Sequence, residues 1–476
     1  MRSMSRDHAW SNWSGSVVCR PQEIATPGSI EELARVVGLH ARDGRRMRVT
    51  GAGHSFTPLV RTDDVMISMA KLQGITSIDE QTSTATVLGG TKLKALGDDL
   101  LRRGLAQENL GDIDVQTITG AISTGTHGTG VRFGNLSTQV VALTLVTASG
   151  DLLELSPERE PDLFKAAQVS LGALGVIASV TLRVVPAKRL RYQTRRERLQ
   201  NVLDNLERYK QENSHFEFFW MPYTPWTQAK FTNETDEKPT SANLWTELNR
   251  VVMENGVFWG LSESARLAPS LSRTVSAISA WGIAPTTAVD YSHKLFATPR
   301  AVRFQEMEYN ISAENFVAVM HEIQELIARR GYHVHFPIEC RFVKGDDIWL
   351  SPAYQRDSAY LAAHMYKGMR YEEYFHDVEE VYQRYGGRPH WGKMHTLDAL
   401  TLASRYPRWA DFQRVRATLD PRGVFLNEYL RRLFGVEGEP TRANSGERDG
   451  ANVIKSNSAR RDSASPDGWL AFLLIE

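Results

Sequence analysis

A chain of 476 residues with 42% hydrophobic and 24% charged side chains is long enough for two or three domains around a substantial core. Lys plus Arg total 56 and Asp plus Glu total 56, so no net field draws in nucleic acid or an anionic membrane, and the expected ligand is a small molecule held in a local pocket. The two cysteines, Cys19 and Cys340, are too few for a disulfide scaffold or a multi-thiolate metal site and fit a reducing, cytoplasmic setting.

Residues 1–15 are rich in Ser, Arg and Trp and carry no apolar run, so no secretory signal is expected. Ser29 and Glu32 form a capping box, followed by Leu33, Val36, Val37 and His40 at helical spacing up to Gly44. A short strand at 46–50 leads into glycines 51 and 53. Strand-like runs follow at 65–69, 75–79 and 85–88. Thr91 is then read as the cap of a helix bearing Leu93, Leu96, Leu100 and Leu101. Strands at 140–147 and 152–155 flank Ser149-Gly-Asp151, a hairpin signature. A helix at 162–169 passes through Gly172 and Gly175 into a strand at 176–185, stopped by Pro186. The apolar stretches 140–146 and 172–180 are too short to span a bilayer, although peripheral membrane contact stays open. The first 185 residues therefore read as α+β. From about 190 to 400 glycine becomes rarer and aromatic residues and charges more frequent, which suggests a second domain on its own sheet. Helical spacing returns at 402–434. After Gly435 the composition collapses to Ser, Arg, Asp, Asn and Gly, a disordered tail by composition.

Four constellations carry chemistry. The first, Thr50-Gly-Ala-Gly-His-Ser55, follows a strand, and its glycines let backbone N–H groups approach an anion without a Cβ in the way. The second, Gly120-Ala-Ile-Ser-Thr-Gly-Thr-His-Gly-Thr-Gly130, is rich in small donors. The two loops can grip a pyrophosphate from both sides, and either alone reads equally well as a glycine-rich turn. No G-x-G-x-x-G opens a clear helix, which weakens a dinucleotide-fold reading. His54 sits inside a glycine turn, so it is not a core histidine of a helix or strand face. A metal would need partners, and beyond His127 no matching carboxylate or cysteine pattern is visible; no metal is expected.

The third constellation is His333-Val-His-Phe-Pro-Ile-Glu-Cys-Arg-Phe342. Read as a strand, it puts Val334, Phe336, Ile338, Cys340 and Phe342 on an apolar face and His333, His335, Glu339 and Arg341 on the other. Glu339 and Arg341 then lie within roughly 7 Å and suit a polyhydroxylated ligand, one accepting and the other donating. Taken alone, the same pattern describes a solvated sheet face with a surface ion pair. The fourth, Arg388-Pro-His-Trp-Gly-Lys-Met-His395, follows two glycines. Lys393 can hold a substrate oxygen and His390 can shuttle a proton, or the segment is a basic surface loop.

In this order, with Trp10-Ser-Asn-Trp-Ser-Gly15 at the start, these motifs resemble the vanillyl-alcohol-oxidase superfamily of flavoproteins. The likeness is closest to its sugar-lactone branch, which includes L-gulonolactone, D-arabinono-1,4-lactone and alditol oxidases, and it covers residues 10–435. The resemblance implies an α+β fold with a two-lobed FAD-binding domain over 15–187 and a substrate (cap) domain over 188–400 on a mixed or antiparallel sheet. A helical segment at 401–435 would pack back near the FAD domain, and the tail 436–476 departs from the family. It implies FAD bonded covalently through His54 to the 8α-methyl of the ring. The cofactor set would be Gly51, Ala52, Gly53, His54, Ser55, Thr117, Gly120, Ser123, Thr124, Gly125, His127, Gly128, Gly175, Val176 and Ile177.

By the same analogy Glu339, Arg341 and Lys393 bind the hydroxyl undergoing oxidation, with His390 beside them. A hydride passes to flavin N5, Arg341 and Lys393 stabilise the developing alkoxide, and the proton goes to Glu339, His390 or solvent. The implied substrate is an aldono-1,4-lactone of the L-gulono or D-arabinono type, with oxygen or another electron acceptor. A polyol oxidase and a non-catalytic flavin-binding, electron-transfer protein are the alternatives.

Overall fold

Alternating β-branched and polar residues, interrupted by glycine turns, build three main sheets in the computed structural model, which describes residues 9–240, 256–297 and 302–436. The expected tail lies outside the described residues, apart from residue 436. The mixture of sheets and helices is α+β, with a flavin-type lobe and a second, sheet-rich cap.

The first lobe opens with three parallel strands, Glu23–Ala25, Val65–Ser68 and Met47–Thr50, with Val65–Ser68 in the middle. Parallel neighbours need a crossover, supplied by the helix Ile30–Arg42. Ser29 caps that helix by accepting the Glu32 N–H, while the Glu32 carboxylate accepts from Gly28 rather than closing the box on Ser29. Leu33, Val37 and Ala41 on its buried face pack with Met47, Val65, Ile67, Val146 and Val176, so this helix joins the small sheet to its five-stranded neighbour. That second sheet is antiparallel, in the order Leu152–Leu155, Val140–Val146, Val176–Arg183, Thr84–Leu88, Ile75–Asp79.

Thr91 is not a helix cap. Lys92 occupies that position before the helix Leu93–Leu101, and the Thr91 hydroxyl instead ties Leu88 O to the Gly74 N–H, closing the turn beneath.

From Arg189 onward the chain builds eight antiparallel strands. Their order is Thr286–Tyr291, Arg189–Arg198, Trp226–Glu234, His215–Trp220, Ile338–Val343, Ser358–Tyr366, Phe304–Ser312, Arg388–Pro389. Both Ile338–Val343 and Ser358–Tyr366 are buried at every position. The sheet is therefore covered on both faces at its centre, unlike an antiparallel sheet with one wet side. The helices Phe316–Arg330 and Glu372–Arg384 pack together over it, and the first lobe closes against it through Gly130 N–H to Phe342 O (2.7 Å) and Thr129 Oγ1 to Phe216 O (2.5 Å).

The expected long strand from His333 is shorter than its pattern. Pro337 offers no N–H to a ladder, and pairing begins only at Ile338. The two-face assignment thus fails before that point: His333 is exposed, while His335 is buried, with Nε2 3.1 Å from Ser262 Oγ.

Three helices end the described chain, Ala399–Arg405, Trp409–Leu419 and Glu428–Phe434. The segment between the last two returns to the first lobe, where Val424 and Phe425 enter its core and Val424 O accepts the Met47 N–H at 2.8 Å. Among the described residues, no helix is long and apolar enough to cross a membrane.

Candidate active site

Both glycine loops face one cleft. Twelve of the fifteen residues expected to hold a cofactor line it: Gly51, Ala52, Gly53, His54, Ser55, Thr117, Gly120, Ser123, Thr124, Gly175, Val176 and Ile177. Gly125, His127 and Gly128 do not. The Gly125–Gly128 end of the second loop turns away, and His127 faces the eight-stranded sheet.

The first loop leaves the strand Met47–Thr50 with no room for side chains. A Cβ on Gly51 would stand 2.3 Å from Thr117 Oγ1, and one on Gly53 (φ +69°) would stand 3.1 Å from Trp10. Thr117 in turn caps the helix Ile118–Ser123 by accepting the Gly120 N–H. The N-terminal Trp-Ser-Asn-Trp-Ser-Gly motif holds this loop from outside. Asn12 donates to Ser55 O (3.0 Å), the Trp13 N–H donates to Gly53 O (2.9 Å), and the Trp13 ring stacks on His54 at 5.6 Å. His54 is half-buried. Burial, with the nearby Lys393 charge, pushes its pKa down to about 4, so the ring is neutral at neutral pH.

Arg48 lies at the floor of the cleft, and the sequence pattern gave no hint of it. Its guanidinium is buried and donates only to backbone carbonyls, those of Leu59, Leu171, Gly172 and Phe425. Burial pulls its pKa down to about 10. A buried cation with carbonyl partners alone, below a glycine cradle edged by Thr117, Ser123 and Thr124, fits a pyrophosphate.

The loop carrying His390 and Lys393 docks directly on the loop of His54. The Phe56 N–H donates to Gly392 O (2.7 Å), Thr57 Oγ1 donates to Trp391 O (3.1 Å), and a Cβ on Gly392 would meet Ser55 Oγ at 3.3 Å. Lys393 Nζ lies 2.5 Å from Glu306 Oε2 and 5.2 Å from the Phe56 ring centroid. Burial would raise the Glu306 pKa, but Lys393 and His364 outweigh it and hold the carboxyl well below its ordinary value. His390 is buried, which pushes it down to about 3, and its Nδ1 accepts the Gly392 N–H at 3.0 Å.

Glu339 and Arg341 do meet as an ion pair, but not on a solvated face: both are buried. Arg341 also donates through Nε to Glu217 (2.7 Å) and contacts Asp112 through Nη2 (3.2 Å). Its charge is thus shared among three carboxylates; burial would lower its pKa, but Glu339, Glu217 and Glu308 raise it. Glu217 is further paired with Lys230 at 3.0 Å; burial alone would raise it, yet Lys230 and Arg341 bring it to about 2.

Glu306, Glu308, His364, Asp112, Glu217 and Lys230 were not singled out from sequence. One signal was available: in the strand Phe304–Ser312, Glu306, Glu308 and Asn310 fall at period two on one face, amid apolar neighbours. His127 reaches this face, 3.0 Å from Glu308. Glu308 thus stands near His127 of the second motif and His390 of the fourth. Two buried groups have metal-like spacing, His127/Glu308/His390 and Glu306/Glu339/His364, but Lys393 and Arg341 already occupy the carboxylates of the latter.

The profile of the family described as D-arabinono-1,4-lactone oxidase matches residues 180–433, and that of an FAD binding domain matches residues 21–156. The chain is 46% identical over 426 residues to a protein named L-gulono-1,4-lactone dehydrogenase from Mycobacterium tuberculosis, across 90% of this chain and 99% of that protein. It is 33% identical over 434 residues to L-gulonolactone oxidase of Mus musculus, across 89% and 98%. A crystal structure of cholesterol oxidase from B. sterolicum superposes with a TM-score of 0.76 at 19% identity, covering 90% of this chain and 97% of that one, and shows the same fold.

Proposed function

The chain belongs to the D-arabinono-1,4-lactone oxidase family of FAD-linked oxidoreductases, and from that premise we propose a substrate, a cofactor linkage and roles for its residues. It is an FAD-dependent oxidoreductase acting on the CH–OH group of an aldono-1,4-lactone. The substrate proposed is L-gulono-1,4-lactone, the lactone in the name of the 46% identical relative. That relative is named a dehydrogenase, which supports an electron acceptor other than oxygen.

The observation that carries the reading is two buried ion pairs, Lys393 with Glu306 and Glu339 with Arg341, the first of them on a loop docked against the loop of His54. A flavin-binding module without a substrate of its own has no use for them. Arg48, the two glycine loops and Thr117 would hold the pyrophosphate and ribityl chain. Bound FAD supplies the two-electron acceptor for the carbon-bound hydrogen. His54 would hold the flavin covalently. Burial keeps its imidazole neutral, with a lone pair available, and the stacked Trp13 ring fixes its plane. Lys393, on the loop docked against that of His54, would bind the hydroxyl oxygen and stabilise it as its proton leaves. Arg341 orients Glu339 to accept from a neighbouring hydroxyl.

The test is anaerobic bleaching of the bound flavin by L-gulono-1,4-lactone, D-arabinono-1,4-lactone and open-chain polyols in parallel. Bleaching by polyols alone would make the chain an alditol oxidase, and bleaching by none would return it to electron transfer. Rapid peroxide formation in air would overturn the acceptor assignment.

A further inference from the structure

Three neighbouring strands of the eight-stranded sheet set side chains of alternating charge in one row. Lys230 stands directly opposite Glu217, and Glu217 directly opposite Arg341, so all three project on the same face. Phe219, two residues on from Glu217, is paired in the same way with Glu339. The row runs inward, from side chains 17% and 15% exposed at Lys230 and Glu217 to 8% at Arg341.

The contacts follow the register. Glu217 accepts from Lys230 Nζ at 3.0 Å through one carboxylate oxygen and from Arg341 Nε at 2.7 Å through the other. Lys230 Nζ also sits over the Phe219 ring, 4.1 Å from its centroid, which confines it further. Burial would raise the Glu217 pKa, but Lys230 and Arg341 hold it at about 2. Burial would lower that of Lys230, and Glu217 outweighs it. The row therefore keeps its charges at neutral pH.

The guanidinium of Arg341 is held at two of its three nitrogens. Nε is taken by Glu217, and Nη2 by Glu339 with Asp112 at 3.2 Å. Nη1 has one partner among the described residues, Asp112 Oδ1 at 3.5 Å, and is the nitrogen with donors to spare. Without Glu217 the side chain is free to turn about its own carbon chain and carry Nη2 away from Glu339. Lys230 matters because Glu217 is one of three carboxylates around a single guanidinium. A cation of its own lets Glu217 orient Arg341 without drawing the charge away from Glu339.

We propose that Glu217, backed by Lys230, is a positioning residue for lactone recognition. Through Nε it sets the Arg341 guanidinium so that Nη1 and the Glu339 carboxylate meet one substrate hydroxyl, the neighbour of the hydroxyl being oxidised. That neighbour donates to Glu339 and accepts from Nη1. Neither Glu217 nor Lys230 touches the substrate. The assignment rests on the reading that Glu339 and Arg341 bind this neighbouring hydroxyl.

The experiment is anaerobic single-turnover reduction of the bound flavin by L-gulono-1,4-lactone and by its analogue lacking the hydroxyl beside the oxidised one. A hydrogen bond to a charged group is worth about 10–100-fold, so the wild type should react at least about tenfold faster, per mole of lactone, with the full substrate. Glu217→Gln keeps the shape of the side chain and one accepting oxygen but loses the charge. It should shrink that ratio to within about threefold, chiefly through slower reduction by the full lactone. A merely structural defect would slow both lactones alike and leave the ratio where it was. Lys230→Arg should keep the ratio. Glu217→Gln combined with Lys230→Met removes both charges together and should lose it, so the test survives misfolding of the single variant. A ratio unchanged in Glu217→Gln and in the double variant, but collapsed in Glu339→Gln, would overturn the assignment alone. A ratio retained in Glu339→Gln as well, or absent from the wild type, would remove the reading of the site beneath it.

Discussion

At the scale of single side chains, His54 and Arg341 carry two separate functions. His54 is neutral because burial and Lys393 disfavour its charged form, and it forms no hydrogen bond among the described residues that would tie up its lone pair. His54→Ala should therefore still bind FAD in the cleft but release it on acid precipitation; a yellow pellet from the variant would place the covalent bond elsewhere. Arg341 works through others. Removing it takes the guanidinium away from the buried Glu339, and breaking such a buried pair costs about 3–5 kcal/mol. Arg341→Ala should keep most of its flavin, lose roughly 100-fold or more in flavin reduction, and unfold at a distinctly lower temperature. Arg341→Lys should rescue little, because an ammonium cannot reproduce three directed contacts. Full turnover in Arg341→Ala would refute the role.

At the scale of elements, the site is two loops pressed against each other and against a sheet. Gly51 is where that contact is tightest, with Thr117 Oγ1 at 2.3 Å from any added Cβ. Gly51→Ala should push Thr117 off its cap and lower flavin content at least about tenfold. Gly51→Ala combined with Thr117→Gly should recover part of it, and flavin content per protein measures both. The same geometry explains what could be read from the chain beforehand. Glycine turns with a histidine inside are local features, legible because glycine is favoured at the positive φ of Gly53 and alone leaves room for the approach at Gly51. The Glu339/Arg341 pair was also legible, being two residues apart on one strand. Its burial was not, because it depends on the strands Phe304–Ser312 and Ser358–Tyr366 being brought beside it by long-range pairing. The carboxylates of Glu306 and Glu308 were hidden for the same reason. Acidic residues at period two in a strand read as a wet face until the sheet is known to be covered on both sides. Arg48 carries no motif at all; four carbonyls from three distant segments define its role.

At the scale of the whole molecule, buried histidines set how the protein responds to acid. Burial holds His54, His215, His335 and His395 at about 4 and His390 at about 3, against an ordinary value of 6.5. These are depressed values for cationic acids, so the native state stays neutral where the unfolded chain takes up protons. Stability then rises with pH through this window. It is full above 6.5 and is lost as the pH falls from 6.5 towards 4. Glu217 and Glu308 extend the loss downward. Burial would raise both, but their cationic neighbours hold them at about 2, so their contribution is present above 4.5 and disappears as the pH falls from there towards 2. The two windows act in the same direction and overlap little, which makes the slope diagnostic. Each proton taken up on unfolding changes stability by about 1.4 kcal/mol per pH unit. Near pH 5, before the carboxylates matter, urea unfolding should therefore show an uptake of several protons, up to about five, in the dependence of stability on pH. Replacing His395, which lies outside the cleft lining and the ion-pair network, by Asn should remove about one of them without touching the flavin. An uptake below one proton between pH 6.5 and 4.5 would mean that these rings are protonated in the native state. The neutral state of His54 on which its lone pair depends would fall with that result.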